Sequence, residues 1–312
     1  MPAPRCLSLV VLIGVAITGA VWSQDSRDVD RSQLLRVEPG LPVPGSAAAG
    51  EALGYAAPSE NDADLGIQAI LKRQNQYRPF TFSLSTPLYY TTNVALTREG
   101  EVQDGIVGPA VTLAYQPHIA RTLYGEFLLV QQLFYYERYS SFNFTSLDGI
   151  AGVVCYLPQF YGLSLRARYD FNRLTDEHFN EFFQNHSLVF SAEMPFPFRR
   201  AMQATVGTLA NISLAADPSG SRRNDFEIYA GYQVQFSRSL TIDAVGRFLV
   251  KDYYEGDRVD INEILALTAN YRAREWLLLS AITTFSWNQS NHSVFDYQVA
   301  NLGGAVALTL RF

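Results

Sequence analysis

Between Asn301 and Phe312 the residues divide by parity: Leu302, Gly304, Val306, Leu308, Leu310 and Phe312 fall on one face, and Asn301, Gly303, Ala305, Ala307, Thr309 and Arg311 on the other. A period of two is the signature of a β-strand, whose successive side chains point to opposite sides of the sheet. The same period returns through most of the chain. In 163–171, Leu163, Leu165, Ala167, Tyr169 and Phe171 oppose Ser164, Arg166, Arg168 and Asp170; in 225–236, Phe226, Ile228, Ala230, Tyr232, Val234 and Phe236 oppose a mainly polar set. Strands with one oily face and no amphipathic helices to cover it place that face against lipid. Beyond the first residues, no apolar run approaches the roughly 20 residues that a spanning helix needs, so a membrane passage has to be made of strands. A sheet in hydrocarbon leaves no edge unpaired, because each orphaned N–H or C=O is costly there, so it closes into a barrel.

Twelve candidate strands are legible: 80–94, 107–115, 122–136, 147–156, 163–171, 182–192, 202–214, 226–236, 240–251, 261–271, 276–287 and 295–312. Their connections alternate. Long polar segments such as 97–104, 137–145, 172–180 and 215–224 take the odd turns; shorter ones such as 158–161, 195–200 and 237–239 take the even turns. Long loops at one rim and short turns at the other are the pattern of an up-and-down outer-membrane barrel, and a soluble sandwich gives no reason for it. An even strand count returns both ends of the barrel to the short-turn rim, expected to be periplasmic. Aromatic residues make up 13% of the chain, with 18 Tyr and 20 Phe, enough to supply girdles at both interfaces.

Three regions follow: residues 1–23 as a signal peptide, 24–77 as a flexible periplasmic leader, and 78–312 as the barrel. Arg5 and the apolar stretch from Leu7 to Val21 have the order of a secretory signal, with small residues at the cleavage positions. The leader is rich in Ala, Pro, Gly and acid and buries little; one short helix is expected near 59–71, where Leu65, Ile67, Ile70 and Leu71 approach helical spacing. After processing, Cys155 stands alone and no disulfide is expected. The net charge of -6 and the lack of a basic stripe argue against nucleic acid as a partner.

Candidate functional residues are the charges that parity turns inward: Glu126, Asp148, Arg166, Arg168, Asp170, Glu193, Asp225, Glu227, Asp243, Arg247, Lys251 and Arg311. Signs are mixed, so the groups either pair across the lumen or line a narrow aqueous path; Glu227 and Arg247, on neighbouring strands, are the first pair to expect. A barrel hydrolase would need a serine, a histidine and an orienting group. His186 and Ser187 are adjacent in a strand and point apart, whereas His292 and Ser293 share a loop with no third member in view. Asp252, Glu255, Asp257 and Asp260 match no calcium-loop spacing and are expected in a solvated rim, with Arg258 offsetting part of their charge. No enzymatic activity, cofactor or metal is expected.

The strand series and its end resemble a bacterial outer-membrane β-barrel. That resemblance implies assembly in the outer membrane of a Gram-negative cell, in contact with outer-membrane lipid, with Leu308, Leu310 and Phe312 as the signal read by the barrel-assembly machinery. The segment Tyr89-Tyr90-Thr91-Thr92-Asn93-Val94-Ala95-Leu96-Thr97 also resembles the opening hairpin of β-barrel porins linked to polysaccharide export. The resemblance implies a porin-like channel or envelope protein, passing small solutes or saccharides, with an export partner docked through the leader as an alternative. It brings no catalytic or binding residue.

Overall fold

The computed structural model describes residues 27–36, 77–199 and 201–312. The expected signal peptide and the expected helix at 59–71 lie outside the described residues.

Strands β1 (Phe80–Thr91), β2 (Asp104–Val107), β3 (Ala110–Tyr115), β4 (His118–Ala120), β5 (Leu123–Tyr136), β6 (Phe144–Leu157) and β7 (Leu163–Asp176) make the first half of the sheet. The second half comprises β8 (Glu181–Arg199), β9 (Met202–Asp217), β10 (Arg223–Gln235), β11 (Leu240–Tyr253), β12 (Val259–Arg274), β13 (Leu277–Ser290) and β14 (Tyr297–Arg311). Each pairs antiparallel with its neighbours, and β14 returns to β1 over a register running from Thr81 opposite Arg311 to Thr91 opposite Asn301. The sheet is therefore closed.

β2 and β3 both lie between β1 and β5 and form one wall strand interrupted at Gly108 and Pro109. The ladder survives the interruption, because Gly108 N–H donates to Pro87 O at 2.9 Å and Leu133 N–H donates to Pro109 O at 2.9 Å. β4 is a short rim segment that pairs only β5, which leaves twelve wall strands.

The parity expected from the sequence sets the two faces. In β1, Phe80, Leu84, Leu88 and Tyr90 are exposed outward, whereas Thr81, Ser85 and Thr91 are buried inward. In β14, Leu302, Val306, Leu308 and Leu310 face outward, and Tyr297, Val299 and Asn301 face in. At the seam, the backbone groups of Phe312 and Phe80 exchange two hydrogen bonds of 3.1 Å and their rings stack at 6.0 Å.

Several strands outrun their expected ends, and the loops shrink accordingly. β7 continues to Asp176 and β9 to Asp217, because the hairpin ladders go on satisfying backbone groups beyond the apolar belt. The largest extension is in β8, where the expected turn at 195–200 is instead strand through Arg199. β7 pairs β8 only as far as Ser164 opposite Glu193, so the last residues of β8 pair with β9 alone. Pro195 and Pro197, two apart, share the same edge of this overhang, where a missing N–H disturbs no ladder.

The expected flexible leader contains a helix that sequence reading did not place. Residues 27–35 form helix α1, and the helix sits inside the barrel. Its contacts, Val94, Tyr136, Phe142 and Val294, belong to the long-loop half of the lumen.

Candidate functional site

The lumen changes character along its axis. Toward the long-loop rim, inward positions that would ordinarily be polar are apolar: Ile106, Phe134, Tyr136, Phe144, Leu174 and Phe183 form one cluster, and Leu96, Tyr297 and Val299 form a second. These residues are the seat of α1. Val29 and Leu35 are buried against the first cluster, and Leu34 packs on the second. The nine described residues of α1 are too few to make a stable helix alone in water, so their conformation depends on the seat.

Polar contacts fix its position. Arg27 Nη2 donates to Val294 O at 2.8 Å, Arg31 Nη1 donates to Val94 O at 3.0 Å, and the Arg31 guanidinium lies 4.2 Å from the Phe142 ring centre. At the other end Gln132 Nε2 donates to Leu35 O at 3.2 Å, which satisfies a carbonyl of the last helical turn, and Arg36 pairs with Asp148 at 3.0 Å. Asp30 is the electrostatic centre. Its Oδ1 accepts from Arg223 Nη1 at 2.9 Å and from Lys251 Nζ at 2.7 Å. Burial alone would raise the Asp30 carboxyl, but the Lys251, Arg223 and Arg258 charges more than offset it and hold it well below the usual carboxylate range.

Below the helix, the expected inward charges divide into small groups. Arg247 is bidentate on Glu227, with Nε at 2.7 Å and Nη2 at 2.8 Å from the two carboxylate oxygens. Glu193 accepts from the Tyr229 hydroxyl at 2.7 Å. Glu126 is loosely held, by Arg166 at 3.9 Å and Gln116 at 3.4 Å, and Arg168 lies 3.4 Å from Asp170 on its own strand. Asp225 pairs with Arg223 at 2.9 Å, and Asp148 accepts from Asn172 Nδ2 at 2.5 Å. Nearer the short-turn rim Asp243 accepts from Gln233 at 2.7 Å and Asn270 at 3.2 Å, and Arg311 is exposed. Lys251 and Asp148 are the candidates with partners from outside the wall, Asp30 and Arg36 respectively.

One expectation changes and one residue is added. Asp260 does not belong to the solvated rim with Asp252, Glu255 and Asp257: it is fully buried in the lumen, where the Arg258 guanidinium forks onto it and stacks over Tyr253 and Phe295. Arg223, which was not among the sequence candidates, holds the helix; it stands at the first position of β10 with the parity of Asp225 and Glu227, the signal that identifies it as inward.

Neither histidine pair assembles a nucleophile. His186 bonds to Gln184 at 2.7 Å and to the Tyr169 hydroxyl on the outer face, and Ser187 is buried inward. His292 Nε2 lies 3.0 Å from Gly256 O, and Ser293 opens an exposed single-turn segment. No cluster of three metal-ligating side chains occurs among the described residues.

One side of the helix is not sealed. A cleft of about 600 Å³, its open mouth included, runs between Ser32, Gln33 and Arg36 of the helix segment and Asn172, Asn185, Ser187, Asn211, Arg223 and Asp225 of the wall. Gln33 is the one exposed residue of α1.

No protein-family model and no curated protein matches the sequence. Among solved structures, the outer membrane channel COG4313 from Pseudomonas putida F1 superposes with a TM-score of 0.52 over 76% of this chain and 98% of that one, at 11% identity. The fold is that of a bacterial outer-membrane β-barrel. The NanC porin aligns over 73% of this chain and 100% of its own at 7% identity, with a TM-score of 0.43, too distant to add weight. The closed wall and its apolar exterior are the architecture of that fold.

Proposed function

We propose that this barrel is a channel for small polar solutes, saccharides among them, whose bore is narrowed by its own N-terminal helix. The observation that carries the reading is the one-sided packing of α1: buried apolar contact with Phe134, Phe144 and Leu174 on one side, and on the other a cleft whose lining, from β6 to β10 and the helix itself, is mainly Asn, Ser and Gln. Neutral donors and acceptors suit hydroxylated solutes, because they exchange hydrogen bonds without holding a fixed charge. Pairing of Glu227 with Arg247, and of Glu193 with Tyr229, keeps the lower lumen polar without a dominant sign.

The reading is non-enzymatic, supported by the opposed faces of His186 and Ser187 and by the backbone engagement of His292. Docking of an export partner through the leader is the second reading; residues 27–36 are committed to the lumen and do not serve it in this state. Planar-bilayer recording of the processed full-length chain tests the proposal. Discrete conductance steps are expected, larger when residues 24–36 are deleted. A folded barrel that stays silent with the segment deleted would refute the channel.

A further inference from the structure

The grip on Asp30 has the construction of a ligand site. Arg223 is built into the wall: its Nε faces Asp225 at 2.9 Å and its Nη1 also donates to the Tyr253 hydroxyl at 2.6 Å. Lys251 is opposite Asp225 on the next strand, and among the described residues its ammonium bonds only to Asp30. The helix fills this corner with two groups, the Asp30 carboxylate and the Gln33 side-chain oxygen Oε1, which accepts from Arg223 Nη2 at 2.6 Å. Both cationic side chains are at most 5% exposed.

If α1 leaves, Lys251 loses its carboxylate and Arg223 loses two acceptors. A buried cation stripped of its partner is strongly disfavoured, so departure of the helix is opposed unless another anion takes the same place. The polar cleft leads there, because Arg223 and Gln33 both line it.

We infer that Arg223 and Lys251 form a carboxylate-binding subsite of the channel, filled by Asp30 at rest and by a carboxylate-bearing, hydroxylated solute when the helix withdraws. The carboxylate of such a solute takes the position of the Asp30 carboxylate, and a neighbouring hydroxyl oxygen takes that of Gln33 Oε1. The inference rests on the channel reading and names the solute class for it. It also makes the solute its own opener, since a ligand shifts an equilibrium by its differential affinity for the two states.

Gluconate and sorbitol test this, as two six-carbon polyols that differ by one carboxylate. The processed full-length chain is recorded in planar bilayers with either compound on the long-loop side, beside Asp30→Asn, Lys251→Met and the 24–36 deletion, each checked for heat-modifiable migration of a folded barrel. Gluconate is expected to raise the open fraction of the wild-type channel, and sorbitol is not. Asp30→Asn should raise it without solute by roughly a hundredfold in the open-to-closed ratio, the low end of what loss of a buried ion-pair partner implies. Lys251→Met should abolish the response to gluconate. A conducting deletion variant combined with equal wild-type responses to gluconate and sorbitol would overturn the carboxylate subsite and leave the channel standing. A silent deletion variant would overturn both.

Discussion

Replacing Gly207 with alanine is expected to destabilise the barrel, against the usual trend for a strand. Glu193, Gly207 and Tyr229 are direct neighbours across β8, β9 and β10. The Tyr229 ring lies over the bare backbone of Gly207 and brings its hydroxyl to Glu193 at 2.7 Å. A Cβ at position 207 would stand 2.2 Å from Tyr229 Cζ, so the ring has to swing away and the hydrogen bond breaks. A hydrogen bond to a carboxylate contributes about 1.5–3 kcal/mol, reduced here because Tyr229 is only half-buried and water can reach the freed groups. A net loss of about 1–2 kcal/mol follows. Urea titration of the barrel in lipid vesicles measures it. The decisive comparison is the same substitution in a Tyr229→Ala background, where the obstruction is gone and alanine, the better strand residue, should gain about 0.5–1 kcal/mol over glycine. A penalty of the same size in both backgrounds, or none in either, would refute this account.

Three further outcomes are expected. Glu227→Gln removes the bidentate pair with Arg247; stability should fall by about 1–2 kcal/mol, because Arg247 is partly exposed, and the reversal potential in a salt gradient should shift toward anion preference. Helix docking through Asp30 should be indifferent to pH between 5 and 8: its docked carboxyl is held below the ordinary value of about 3.9, so the contribution is fully present above that value and is lost only as pH falls through the lowered one. Conductance recorded across that range should show no transition from this group. Gly303→Val should impair closure, because even a Cβ there would lie 2.3 Å from Leu88 O across the β1–β14 seam; the fraction of heat-modifiable barrel reports it.

The wall was legible because lipid and water impose opposite chemistries on adjacent residues. Phe226, Ile228 and Ala230 against Asp225, Glu227 and Tyr229 leave one register available, and the pairing of Glu227 with Arg247 follows from that register. Strand ends were less legible, since Asp176, Pro195 and Pro197 carry the composition of turns but lie where a ladder continues past the membrane. The helix was hidden by its own polarity. Asp28, Asp30, Arg31 and Ser32 read as tether: Asp28 pairs with Arg31 and Ser32 bonds to Val29 O within the helix, but the cations on Asp30 and the Val94 carbonyl that meets Arg31 come from the barrel. A signal for it existed in the wall: Phe134, Tyr136, Phe144 and Leu174 are apolar at inward parity, and an oily patch inside a polar bore implies something apolar that covers it.

That patch also sets an order of events. Its residues come from the segment after β1, from β2, β5, β6, β7 and β8, and, through Tyr297 and Val299, from β14. The full seat therefore comes into being only when the first and last strands have met, so α1 cannot take its final position in a barrel that is still open along its seam. Resistance of residues 27–36 to protease, followed in time after refolding begins, becomes a clock for completion that needs no label on the wall: the first of the described residues in chain order are the last to come to rest.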